Sequence, residues 1–111
     1  MKIAVVGSHN YKHLHKVRHY IATIPHGTTV ISGNVSGLCQ FVQTESKRKG
    51  ISVLMFNPQW QRYKKRAIIR YLTDIVESSD RIVVFWDGKS EGSKNLISMA
   101  RKKGKPLQVI R

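Results

Sequence analysis

Five short apolar runs dominate the chain: Ile3-Ala4-Val5-Val6, Thr29-Val30-Ile31, Ile51 to Phe56, Ile82-Val83-Val84-Phe85 and Leu107-Gln108-Val109-Ile110. Each is rich in β-branched residues and closed by a loop of small or polar residues. Near-continuous apolar strands are what a parallel sheet requires when helices bury both of its faces. The stretches between the runs are long enough for crossover helices. The pattern therefore predicts an α/β chain with an open, five-stranded, mainly parallel sheet and helices on both faces. Such sheets bind ligands in the crevice beyond the carboxyl ends of their strands.

The helical stretches support this reading. Leu14, Val17, Ile21 and Ile24 recur at spacings of three and four, with Lys12, His13, Lys16 and Arg18 on the other side, and Pro25-His26-Gly27 stops the pattern. A second helix is predicted from Gly37 to Lys49, ending at Gly50. A third runs from Arg62 to Ser78 with Ala67, Ile68, Leu72, Ile75 and Val76 inward, and a last from Ser93 to Lys103 with Leu96, Ile97 and Ala100 inward. No repeat, linker or low-complexity segment interrupts them, so residues 1–111 read as one domain.

The net charge is +14 with neutral histidines, and only 6 of the 111 residues are acidic. A charge of this size favours anionic partners such as nucleotides, nucleic acid or lipid headgroups, and it also serves solubility. The single cysteine, Cys39, excludes an internal disulfide and reads as a small buried hydrophobe at a helix start. The first strand follows Met1 with no signal-peptide pattern, and no apolar run approaches the roughly 20 residues of a membrane span. A cytoplasmic protein without membrane contact is the expectation.

Two strand-end loops have the composition of ligand loops. Gly7-Ser8 after the first strand and the segment from Gly33 to Gly37 after the second could direct backbone N–H groups at a phosphate. Neither matches GxGxxG or GxxxxGK[ST], and glycine turns after strands are common. The loop after the fourth strand, Trp86-Asp87-Gly88-Lys89-Ser90-Glu91-Gly92-Ser93, is richer. Asp87 suits a ribose hydroxyl, Trp86 a base, and Gly92 with a helix-capping Ser93 a phosphate. The same residues equally suit a tight turn, a capped helix and a core tryptophan.

The run from Phe85 to Ser93, with Ala100 to Pro106 downstream, resembles the YspA/YpsA-related branch of the SLOG superfamily, Rossmann-like domains akin to the lonely-guy and DprA proteins. The resemblance extends over Val6-Gly7-Ser8, Gly33 to Gly37, Trp60 with Arg62-Tyr63, and Arg70. It implies a single Rossmann-like domain holding a nucleotide or nucleotide-derived ligand, with Gly7, Ser8, Gly33, Gly37, Arg70, Asp87, Gly88 and Gly92 as contacts beside the Ser93 read from the helix start, and hydrolysis as the reaction if there is one. The chain departs from the family's pattern at Asn34, Ser36 and Cys39, and Tyr71 stands where an asparagine usually follows the arginine. Leu96 occupies the position of the glutamate nucleophile in the related deoxyribosyltransferases, so deoxyribosyl transfer is not expected.

An alternative function is suggested by the basic run Arg62-Tyr63-Lys64-Lys65-Arg66 beside Trp60. Cations at a helix start oppose the helix dipole, which argues that this cluster serves something outside the fold. Charge mixed with stacking surface suits single-stranded nucleic acid, so the alternative is a non-catalytic, DprA-like binder using Trp60, Arg62, Lys64, Lys65 and Arg66. His9, His13, His15 and His19 offer no complete ligand set, so no metal site is expected. No cofactor is implied, and self-association is left open.

Overall fold

A computed structural model describes residues 1–33 and 37–111. The strands are β1 (Lys2–Gly7), β2 (Thr29–Ser32), β3 (Ser52–Met55), β4 (Arg81–Phe85) and β5 (Leu107–Ile110). All neighbours pair in parallel, in the order β3-β2-β1-β4-β5. The α/β expectation holds, and the sheet is parallel throughout.

The helices are α1 (Leu14–Ala22), α2 (Gly37–Lys49), α3 (Trp60–Tyr63), α4 (Ala67–Ser78) and α5 (Glu91–Lys102), with a 3-10 turn at Lys64–Arg66. Alternation along each strand divides the core into two layers. Ile3 and Val5 of β1 meet Val17 and Ile21 of α1 and Leu38 and Val42 of α2 on one face. Ala4 and Val6 meet Leu72 and Ile75 of α4 and Leu96 and Ile97 of α5 on the other. Strands β1 and β4 lie between both layers, so Val5, Val83, Val84 and Phe85 are fully buried. Cys39 is buried as a small hydrophobe.

Strand order reverses between β1 and β4, which places the topological switch point there. The chain leaves β1 towards the α1–α2 layer and leaves β4 towards the α4–α5 layer. Their adjacent carboxyl ends therefore diverge, and the gap between them has a mouth on each face.

Three local features differ from the sequence expectations. Leu14 is 39% exposed, because helical side chains lean towards the N-terminus and the first one overhangs the end of α1. The predicted third helix is broken: Lys64 takes φ 48°, ψ −115°, separating α3 from α4. From Gln61 to Arg66 only the half-buried Tyr63 offers an apolar surface, too little to anchor a continuous helix on the core, and like charges three or four residues apart repel. Helix α5 starts at Glu91, and its cap is Ser90, whose Oγ accepts from the Ser93 N–H at 3.4 Å; Ser93 is not the cap. Among the described residues, no helix is long and apolar enough to cross a membrane.

Candidate functional site

Ser8 is the joint of the switch point. It is 1% exposed, and its N–H donates to Phe85 O at 2.9 Å, tying the end of β1 to the end of β4. Its Oγ accepts from the Asp87 N–H at 3.1 Å and lies 3.1 Å from Ser93 Oγ. One buried hydroxyl thus holds both loops and the first turn of α5. The Ser8 N–H is consumed inside the fold, so the phosphate-donor role expected of it has no free donor there.

The loop after β4 is organised by Asp87. Its Oδ1 accepts from the N–H groups of Lys89 and Ser90, each at 2.8 Å, forming a turn that delivers Ser90 to its capping position. These two backbone donors hold the Asp87 carboxyl below the ordinary aspartate range, with a smaller contribution from the Ser8 hydroxyl. The turn requires φ +84° at Gly88. Trp86 is half-buried, and its indole N–H donates to Ser90 O at 3.1 Å.

Gly7 and Gly33 are needed for packing. A Cβ at Gly7 would collide with Leu38 and lie 2.6 Å from Phe85 O; at Gly33 it would collide with the Tyr71 hydroxyl. Tyr71 is 5% exposed and fills the space behind the end of β2. Gly37 opens α2, while Asn34, Val35 and Ser36 lie outside the described residues.

Two clefts flank Ser8. On the α4–α5 side, a cleft of about 210 Å³ is lined by Gly7, Tyr71, Leu72, Gly92, Ser93 and Leu96, among others. It is mainly apolar, with His9 at one edge and no lysine, arginine or carboxylate in its lining. On the α1 side, a wider cleft of about 840 Å³ is lined by Lys12, His13, Trp86, Asp87, Lys89 and Arg111, with His9 again at the edge. The structure therefore distributes the expected site: Gly7, Gly92 and Ser93 line one cleft, Asp87 lines the other, and Ser8 is buried between them.

Arg70 is brought to neither cleft. It lies on the solvent side of α4, paired with Asp74 at 3.2 Å and with its guanidinium 6.0 Å from the Tyr63 ring. Its neighbour Tyr71 lines the apolar cleft instead. Arg111 was not anticipated from the sequence. Parallel pairing of β4 with β5 sets Phe85 beside Ile110, so Trp86 and Arg111 emerge side by side, and that alignment of strand ends was the available signal.

The basic cluster forms a separate surface. Trp60 is 57% exposed, and Arg62, Lys64, Lys65 and Arg66 are all exposed. The Arg62 guanidinium lies 5.3 Å from the Tyr63 ring centroid. Among the described residues, no group of three His, Cys, Asp or Glu side chains is placed to hold a metal ion. Comparison with protein-family models, curated proteins and solved structures finds no match to the chain.

Proposed function

We propose that this protein binds a nucleotide or nucleotide-derived ligand at the carboxyl edge of its sheet, with the ligand's ring system in the apolar cleft. The observation that carries this reading is position: the cleft opens at the β1/β4 switch point, where open parallel sheets take their ligands. Tyr71 and Leu72 supply apolar walls, and Gly92 and Ser93 belong to the first turn of α5, whose leading N–H groups have no intrahelical acceptor. The resemblance of the strand-end loops to the SLOG superfamily points the same way.

Binding without turnover is the function we favour. A carboxylate held below its ordinary pKa is a weak general base, and Asp87 already spends Oδ1 on two backbone donors. Leu96 is buried and supplies no nucleophile. Calorimetric titration with a panel of nucleosides and nucleotides tests the reading. A Cβ at Gly92 meets nothing within 4 Å. Gly92→Leu should therefore fill the cleft mouth, keep the melting temperature and abolish binding. Absence of binding across the panel, or unchanged affinity in Gly92→Leu, contradicts the proposal.

The exposure of Trp60 beside four exposed cations favours a second reading, a single-stranded nucleic-acid surface on α3 and the 3-10 turn. Replacing Arg62, Lys64, Lys65 and Arg66 with glutamine should flatten the log–log salt dependence of oligonucleotide binding by up to about 0.7 per lost contact. An unchanged slope removes this reading.

A further inference from the structure

The cleft on the α1 side has a built feature that the nucleotide reading does not use. Three cations reach it from three separate segments: Lys12 from the β1–α1 loop, Lys89 from the β4–α5 loop, and Arg111 from the end of β5. The molecule has 20 lysines and arginines for 6 acids, so an unpaired cation on its surface is ordinary. Convergence on one concavity, with one of the cations held in place, is not.

Arg111 is held from three sides. Its guanidinium lies 5.7 Å from the Trp86 ring centroid. It occupies the space left by the missing side chain of Gly88, where a Cβ would lie 2.8 Å from Arg111 Cζ. Its main-chain oxygen accepts from Lys16 Nζ at 2.7 Å. Such restraint lowers the entropy lost when a flexible cation orders around a ligand.

Five of the six acids do not line the cleft, and four of those five have partners elsewhere. Glu45 pairs with Arg18 and Arg48, Asp74 with Arg70, and Glu77 with Lys103, while Asp80 accepts from the Lys2 N–H at 2.7 Å. Among the described residues, none of Lys12, Lys89 and Arg111 forms an ion pair. Asp87 is the one carboxylate lining the cleft, and its Oδ1 faces the backbone of its own turn. Counting side chains, with neutral histidines, three cations against one carboxylate leave the lining with two positive charges.

We propose that this cleft is a binding site for a diphosphate or longer phosphate group, held by Lys12, Lys89 and Arg111. Two positive charges are matched by a group carrying at least two negative ones, and the arginine fork suits phosphate oxygens. Asp87 opposes binding of a weakly charged anion and so raises the selectivity for a multiply charged one. The site stands whether or not the apolar cleft takes a nucleoside.

The test is calorimetry of the full chain with orthophosphate, pyrophosphate and tripolyphosphate at 0.15 M salt. Pyrophosphate and tripolyphosphate should bind saturably at one site, with orthophosphate weaker by about tenfold or more. Arg111→Gln and Lys89→Gln should each weaken pyrophosphate by about tenfold, the loss of one charge-assisted hydrogen bond. Lys47→Gln and Lys102→Gln remove the same charge from exposed positions outside the cleft and should change affinity less than about twofold. Circular dichroism of all four variants establishes that they fold. Equal weakening by all four would show attraction to diffuse charge and overturn the site, as would the absence of saturable pyrophosphate binding.

Discussion

On the α4–α5 side of Ser8 the strand ends face Tyr71, Leu72 and Leu96; on the α1 side they face Lys12, Lys89 and Arg111. The difference follows from topology. Because β1 and β4 feed helices on opposite faces, one gap in the sheet edge acquires two mouths, and each inherits the side chains of a different layer. The α4–α5 mouth is walled by helix faces that are already core, so it is apolar and narrow. The α1 mouth is walled by loops and a strand end, which carry the excess charge of the chain. A single strand edge can therefore separate the recognition of an apolar ring from that of an anion.

Glycines at the end of β1 and in the loop after β4 give the largest contrast. Gly7→Ala drives a methyl group against Leu38 and the Phe85 carbonyl, both fixed in the core, and should destabilise the fold by about 3 kcal/mol in urea denaturation. Gly88→Ala meets the guanidinium end of the Arg111 side chain, which must shift from its seat beside Trp86 to admit the methyl group. The strain of a positive φ remains, and the expected loss is about 1 kcal/mol. Equal losses would mean that Arg111 beside Gly88 is as firmly fixed as Leu38 and the Phe85 carbonyl beside Gly7.

Ser8→Ala should act on both sides together. It leaves the Asp87 N–H without its acceptor and removes the nearer of the two hydroxyl partners of Ser93 Oγ, at an expected cost of about 2 kcal/mol. Amide exchange should then quicken at Asp87 and at the start of α5 alike. Faster exchange in one loop only would show that Ser8 is not the joint between them.

Away from both mouths, Lys64 holds a backbone conformation that glycine adopts without strain. Lys64→Gly should raise stability by about 1 kcal/mol with no change at either cleft, and a loss of stability would contradict that account of the break between α3 and α4.

Acid gives the subtlest distinction. The folded state holds Asp87 below its unfolded pKa, so its contribution to stability is complete above the unfolded value and disappears as pH falls through the folded one. Below pH 4, the wild type should therefore lose stability that Asp87→Asn does not lose. Parallel acid curves for the two proteins would show that the backbone donors of Lys89 and Ser90 do not hold the carboxylate.

The strands were legible because a buried parallel sheet writes itself as short β-branched runs. Ile82 to Phe85 and Leu107 to Ile110 fall within the observed β4 and β5. Helix α2 was legible to its end residues, since Gly37 and Gly50 bracket it. The break at Lys64 was not, because a basic run has no periodicity to interrupt and lysine gives no warning of a positive φ. At the site, the richness of the β4 loop was readable, but its division was not. The sequence places Asp87 and Gly92 five residues apart; the turn closed by Asp87 Oδ1 is what sends them to different mouths. Arg70 and Tyr71 show the same limit in reverse, since one residue of helical rotation decides which of them meets the cleft.

The most direct test of a two-mouthed edge is an amide chemical-shift titration of the labelled protein, first with adenosine and then with pyrophosphate. The account predicts that adenosine perturbs Tyr71, Gly92, Ser93 and Leu96, that pyrophosphate perturbs Lys12, Lys89 and Arg111, and that each set moves in the presence of the other ligand. Perturbation of a single common set by both ligands, or competition between them, would contradict it.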